Sequence, residues 1–321
     1  MKTNKYLVVG LLAGMALVSC SNDEETYVEA GTADITLSAG INRATRAVID
    51  ADYGNDLPVS FIRIDNPASG AASWQSSVDA VRAGGSGNTA ITFTNTQTYL
   101  TLDVASYMVG FYPRPAVATA TGNPVNVSYT ITGDEDVMAT AIQSGSSDTP
   151  FTPFTFNHLL TQLQFQCIGS SDAHDLWTEI TSINVQQVPS VLTLAIDKTQ
   201  LNLVPVLTAA ATPLADLSVF NCPDTLATAA STAKKIGYTM LYPTAGLGTA
   251  ADPVTLEVRG VYDGAPVTRT VTVENIDGGA LASHSHMLTL TFTVDGEINV
   301  EAGIAEWLPG NGGGTTVTPA D

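Results

Sequence analysis

Leu288-Thr289-Leu290-Thr291-Phe292-Thr293-Val294-Asp295-Gly296-Glu297-Ile298-Asn299-Val300 alternates apolar and polar side chains, turns at Asp-Gly and resumes the alternation. Successive side chains of a strand face opposite ways, so one face carries Leu288, Leu290, Phe292 and Val294 and the other carries threonines. Asp295-Gly296 predicts a two-residue type I′ turn, whose twist matches the strands it joins. Ile298, Val300 and Ile304 then return on the second strand. A second hairpin is expected at Asp263-Gly264, with Val254, Leu256 and Val258 leading in and Val267, Val271 and Val273 leading out.

The same period of two runs through the rest of the chain. It predicts strands at Asp34–Ile41, Val59–Ile64, Ala90–Thr94, Tyr99–Val104, Tyr107–Tyr112, Val125–Ile131, Leu163–Ile168, Ile180–Val188, Val191–Ile196 and Ile236–Tyr242. Only Leu226–Lys235 has a weakly helical composition. An all-β chain of packed antiparallel sheets is therefore expected. Small polar residues cluster at Ala83-Gly84-Gly85-Ser86-Gly87 and at Ser144-Gly145-Ser146-Ser147-Asp148, which read as flexible connections. The second sets a domain boundary near residue 150, with one sandwich over 32–150 and another over 151–321.

The amino terminus reads as a leader. Lys2 and Lys5 precede an apolar run from Tyr6 to Leu17, too short for a transmembrane helix of about 20 residues. Leu17-Val18-Ser19-Cys20 resembles the lipobox cut by lipoprotein signal peptidase. Residues 1–19 would be the signal peptide, Cys20 the lipidated residue, and 20–31 an acidic linker. Ser21-Asn22-Asp23-Glu24-Glu25 resembles the surface-export signal of Bacteroidetes lipoproteins. Two or more acyl chains on Cys20 would suffice to hold the protein on a membrane.

Lys2 and Lys5 leave with the leader, so the net charge of −19 becomes −21. A field of that sign repels nucleic acid and anionic lipid headgroups, which excludes a nucleic-acid partner. Charged residues are only 13% of the chain and hydrophobic ones 44%, a balance that suits threonine- and serine-faced strands and argues against disorder. Apart from Cys20 the cysteines are Cys167 and Cys222. They could pair in an oxidising envelope, or Cys167 could be a small buried hydrophobe on the strand face it shares with Leu163 and Phe165.

Catalytic patterns are missing. Neither a Gly-x-Ser-x-Gly elbow nor a phosphate-binding loop occurs, and no cofactor is implied. His284 and His286 would share a strand face at the spacing of a metal pair, but spacing supplies no third ligand. Asp134-Glu135-Asp136 lacks the twelve-residue calcium loop and reads as a solvated turn. An enzyme is not expected.

Several segments in order resemble the fimbrillin-like family, the type V pilus subunits and related surface lipoproteins of Bacteroidales. They are Tyr107-Met108-Val109-Gly110-Phe111-Tyr112-Pro113, Asp136-Val137-Met138-Ala139-Thr140-Ala141, Phe156-Asn157-His158-Leu159-Leu160 running into Leu163-Gln164-Phe165, and the hairpin ending Ile304-Ala305-Glu306-Trp307. The resemblance implies two transthyretin-like β-sandwiches, export as a lipoprotein, and polymerisation by strand exchange after proteolysis. The residues accommodate such a mechanism. Ile35, Leu37, Ala39 and Ile41 alternate inward on the first strand, directly before Arg43 and Arg46 in an exposed, small-residue segment. Cutting there would detach the body from Cys20 and let that strand leave, opening a groove with unpaired edges. An uncut linker is the alternative.

A donor strand needs alternating large apolar residues. The tail from Gly310 to Pro319 offers only Val317, so Ile298, Val300, Ile304 and Leu308 make the better donor. Two roles follow. One is a fimbrial stalk subunit or tip adhesin whose partners are other fimbrial subunits, held at the outer membrane before processing and extracellular after it. The other is a non-polymerising surface lipoprotein that binds a glycan or a host or bacterial surface ligand. Trp74, Trp177 and Trp307 could stack on sugars if exposed, although a sandwich more often buries tryptophan. Asp224-Thr225-Leu226 also resembles the short O-glycosylation signal of these bacteria.

Overall fold

A computed structural model describes residues 33–42, 49, 51–65, 77–100, 104–115, 124–170, 172–226 and 232–305. Within them the chain is nearly all strand. The first nine strands are β1 (Leu37–Ile41), β2 (Leu57–Asp65), β3 (Val78–Arg82), β4 (Thr89–Phe93), β5 (Ser106–Tyr112), β6 (Val125–Thr130), β7 (Met138–Ala139), β8 (Gln143–Gly145) and β9 (Phe154–His158). Next come β10 (Thr161–Gly169), the four-residue helix α1 (Ala173–Leu176), β11 (Trp177–Pro189), β12 (Val191–Ile196), β13 (Val206–Ala209) and β14 (Leu214–Ser218). The last are β15 (Lys234–Leu241), β16 (Thr249–Tyr262), β17 (Ala265–Asn275), β18 (Ser285–Phe292) and β19 (Ile298–Ile304).

An eight-stranded sheet runs β2-β3-β4-β1-β9-β7-β5-β8, and a further β2–β5 pairing closes it like a barrel. Three smaller sheets follow: β15-β10-β18-β19, β14-β11-β16-β17 and β13-β12-β6. Most pairings are antiparallel. Two are parallel, β1 with β9 and β10 with β18.

Two cores result, and β2 and β5 separate them. Phe61 and Ile62 are adjacent on β2 and both fully buried, yet Phe61 joins Ile35, Leu37, Phe154 and Phe156 in the smaller core while Ile62 joins Phe111, Leu163 and Trp177 in the larger. A strand buried on both faces loses the apolar-polar alternation that a half-exposed strand shows. β10 behaves the same way. Leu163, Phe165 and Cys167 are buried as their alternation predicts, but so are Gln162 and Gln164. Gln164 Nε2 donates to Gln162 Oε1 at 3.0 Å and to Ser285 Oγ at 2.8 Å, a network that offsets the loss of water.

The two hairpins differ. Tyr262 pairs with Ala265 across Asp263 (φ +49°) and Gly264 (φ +72°), so both central residues are left-handed as a type I′ turn requires. At the other, Thr293 N–H donates to the Glu297 carbonyl at 3.0 Å and the Thr293 hydroxyl to the same oxygen at 2.9 Å, adding one ladder step. The loop is therefore three residues, Val294-Asp295-Gly296, with Gly296 at φ +85°, rather than the two-residue turn expected.

Other expectations need correction. Among the described residues Tyr99–Val104 is no strand; Tyr99 is instead buried beside Phe151, 6.0 Å between ring centroids. Lys234 and Lys235 begin β15 rather than end a helix. Asp136 does not lie in a solvated turn: it is buried, and its Oδ2 meets His158 Nδ1 at 2.7 Å. Neither glycine-rich segment is a loose connection. β8 takes up the first two residues of the second, whose Ser146 N–H donates to the Thr149 carbonyl at 2.9 Å, and the first is tied down by Gly85 N–H to the Tyr53 carbonyl at 2.8 Å and Gly84 N–H to Asp56 Oδ1 at 3.0 Å.

Candidate functional site: the slot of the first strand

β1 lies between two partners inside the closed sheet. Against β4 it is antiparallel, with Leu37 opposite Ile91, Ser38 opposite Ala90 and Ala39 opposite Thr89. Against β9 it is parallel, with Ala39, Gly40 and Ile41 beside Phe154, Thr155 and Phe156. Ile35, Leu37, Ala39 and Ile41 are all buried. Beneath them Phe61 stands edge-on to Phe93, Phe154 and Phe156, with ring centroids 5.7, 5.5 and 6.3 Å away. Withdrawing β1 would expose this aromatic floor, and each large apolar side chain contributes about 1.5–3 kcal/mol when buried.

Two buried arginines fix the ends of the slot. Arg82, at the end of β3, donates from Nε to the Ala39 carbonyl at 3.0 Å, from Nη1 to the Ala83 carbonyl at 3.2 Å, and from Nη2 to the Gly85 and Gly87 carbonyls at 2.9 and 3.0 Å. Burial lowers its pKa, so those four carbonyls hold the charge in place of water. Arg63 donates to Asp65 Oδ1 at 2.8 Å and to the Thr98 carbonyl at 2.6 Å. It thereby fixes the segment that receives the Ile35 N–H on the Gln97 carbonyl at 2.7 Å.

Gly40 passes close to the side chain of Asn88. A Cβ there would lie 2.6 Å from Asn88 Oδ1, the end of an exposed side chain that would have to turn aside. Asn88 belongs to the loop whose carbonyls coordinate Arg82, so loop and arginine together read the backbone of the strand between them. At the far end the Asn42 N–H donates to the Phe156 carbonyl at 2.8 Å, and Asn42 Nδ2 to Asn157 Oδ1 at 2.9 Å.

The profile of the fimbrillin-like family matches residues 45–307, most of the chain. The chain belongs to the fimbrillin-like family. Its fold is similar to that of two crystal structures of proteins assigned to cell adhesion. One, from Bacteroides uniformis, has TM-score 0.59 and 17% identity, covering 87% of this chain and 98% of the other. The second, from Bacteroides ovatus, has TM-score 0.56 and 16% identity, covering 86% and 98%. No curated protein sequence matches. Family membership supports a pilus or adhesin role, interaction with other fimbrial subunits, and a place at the cell surface or in a fimbria.

In this fimbrillin-like chain the predicted site residues lie as follows. Ile35, Leu37 and Ile41 line the slot. Ile298, Val300 and Ile304 lie on β19, the outer strand of its sheet: Ile298 and Val300 are half-buried and Ile304 is 88% exposed. Cys20, Arg43, Arg46, Leu308, Trp74, Trp307 and the tail 310–319 fall outside the described residues. Trp177 is buried, its Nε1–H donating to the Thr293 carbonyl at 3.0 Å and its ring 4.9 Å from Phe292. Cys167 and Cys222 are free thiols. Among the described residues no three His, Cys, Asp or Glu side chains gather as a metal site.

Sequence reading missed Arg82 and Asn88. A signal was present: an arginine with only Ala83 between it and Gly84-Gly85-Ser86-Gly87, in a chain with few basic residues, is placed to collect the carbonyls of the tight loop that follows.

Proposed function

We propose that this chain is a structural subunit or tip adhesin of a pilus, exported as a lipoprotein through Cys20 and serving cell adhesion at the outer membrane. Cleavage after Arg43 or Arg46 frees β1, and a strand from a neighbouring subunit takes its place. The chain works as two sandwiches, 32–150 and 151–321, with β9 reaching back across the division to flank β1 and β6 crossing it to pair with β12.

The observation that carries this reading is the position of β1. It is paired along both edges and buried, yet residue 42, one step past its end, leads directly into the segment bearing Arg43 and Arg46. A strand held by neighbours but ending beside a cut site can be exchanged without unfolding the rest. β-Augmentation then restores the ladder bonds and the apolar burial together.

Treatment of the purified chain with an arginine-specific protease tests it. Mass spectrometry is expected to find the fragment ending at Arg43 or Arg46 separated from the body, and sedimentation to find species larger than the monomer. A chain that is cut and stays a monomer would instead be a solitary surface binder.

A further inference from the structure

A cleft of about 400 Å³ opens between β8, the last strand of the eight-stranded sheet, and the loop that leads from β12 to β13. Its polar lining is Gln143 and Ser144 of β8, Thr149 and Thr152 of the connection to β9, and Asn202 of the loop. Ala141 and Pro150 add apolar surface. None of these residues pairs with β1.

The loop is fastened where it carries Asn202. Asn202 N–H donates to the Ile142 carbonyl at 2.8 Å, and Ile142 N–H to the Leu203 carbonyl at 3.1 Å, so the residue just before β8 holds it from both sides. Asn202 is left-handed, at φ +65°, a conformation that glycine and asparagine adopt with least strain. Glycine would meet that backbone requirement equally, so the amide is what asparagine adds at the cleft. A second amide is fixed on the β8 side. Gln143 Oε1 accepts from the Thr152 hydroxyl at 2.8 Å and Gln143 Nε2 donates to the Pro153 carbonyl at 3.3 Å, which leaves each of the two atoms able to make a further bond.

Charge decides what such a cleft takes. No lining residue is charged, although the chain as a whole carries −19. An anion would meet that field with no cation in the lining to offset it, and a cation would find no carboxylate there. A neutral polyhydroxylated ligand fits both conditions. Amides and hydroxyls donate and accept, as sugar hydroxyls do, while Ala141 and Pro150 can meet the C–H face of a ring. Leu201 and Leu203, the chain neighbours of Asn202, are 37% and 57% exposed and give the same loop more apolar surface. A cleft of this size takes a ligand of about one or two sugar rings.

We propose that this cleft binds an uncharged saccharide, with Asn202 and Gln143 reading its hydroxyls. The proposal rests on the adhesin reading above, to which it supplies a ligand, and on no step of cleavage or strand exchange.

The test uses the uncut full chain, Asn202→Gly and Asn202→Asp. Glycine keeps the left-handed backbone and removes the amide, so thermal melting is expected to match wild type. Saturation-transfer NMR is run with glucose, galactose, mannose, fucose, N-acetylglucosamine and N-acetylgalactosamine, and with sialic acid and glucosamine as charged counterparts. Wild type is expected to transfer to at least one neutral sugar and less to the charged ones. Titration of that sugar is expected to show binding about tenfold weaker in Asn202→Gly, the loss of one hydrogen-bonding group. Asn202→Asp, which keeps the size but replaces the donor with a charge, is expected to lose binding as well.

No transfer from wild type to any of the six neutral sugars would overturn the proposal. So would equal binding by Asn202→Gly, or a preference for sialic acid or glucosamine. Cutting the same preparations with an arginine-specific protease separates the cleft from assembly. Sugar binding by a cut chain that stays a monomer would uphold the cleft and refute assembly into a pilus, whereas assembly without sugar binding would refute the cleft alone.

Discussion

Arg82 Nε–H donates to the carbonyl of Ala39 at 3.0 Å, while its other guanidinium nitrogens reach only carbonyls of the loop 83–87. A side chain of β3 thus binds the main chain of a strand two places away in the sheet. Because the contact is to backbone, it accepts any strand of the right shape. Replacing Arg82 by Met removes four donations to carbonyls and leaves several of those oxygens buried without partners. Chemical denaturation is expected to show a loss of about 3 kcal/mol, with hydrogen exchange rising first in 83–87 and 37–41.

Gly40→Val sets a branched side chain against Asn88. It is expected to destabilise the uncut chain by about 1–3 kcal/mol, and Asn88→Gly in the same chain to recover most of that. A double-mutant cycle by denaturation measures the coupling; independent effects would show that the two positions do not meet.

Asp136 and His158 make a buried contact at 2.7 Å between β9 and the segment before β7. Asp136→Ala removes one side of the pair in a site closed to water, with an expected cost of about 3 kcal/mol. Since β9 is one wall of the slot, the variant is also expected to release the cut fragment faster than wild type, read by mass spectrometry over time.

His286 lies largely buried on β18, and burial first, then the neighbouring His284, lowers its pKa below the ordinary 6.5. The unfolded chain therefore binds the proton more tightly than the folded one. The contribution of this residue to stability is whole above pH 6.5 and falls as the pH drops through 6.5 toward the lowered value. Thermal melts between pH 8 and pH 5 are expected to fall less steeply for His286→Asn than for wild type.

Much of the architecture was legible because exposed-face strands keep their alternation. Leu288, Leu290 and Phe292 on β18 and Val254, Leu256 and Val258 on β16 are buried at every second position as read. What was hidden lies on strands covered from both sides. On β2, Phe61 and Ile62 are consecutive and both buried, and on β10 Gln162 and Gln164 are as buried as Leu163, so the period of two fails there for a physical reason. Short strands such as β7 and β8 carry too few residues to show a period at all. Of the site, the apolar positions of β1 could be read from sequence. Arg82 was missed although its place beside a glycine-rich loop was a signal, because glycines suggest mobility and the loop's carbonyls in fact enclose a guanidinium.

The most direct measurement is an inter-chain disulfide in the assembled protein. In the uncut chain Ser38 lies opposite Ala90, and under the proposed strand exchange a neighbouring subunit's Ile298–Ile304 strand, aligned with Ile298 in the place of Ile35, would bring Glu301 there. One preparation carrying Ala90→Cys and another carrying Glu301→Cys, both with Cys222→Ser, are mixed, cut and oxidised. The account predicts a cross-linked pair of chains joined through positions 90 and 301, with no such product when Asn299→Cys replaces Glu301→Cys. Assemblies that form without the 90–301 link, or that link 90 to 299 equally well, would contradict it.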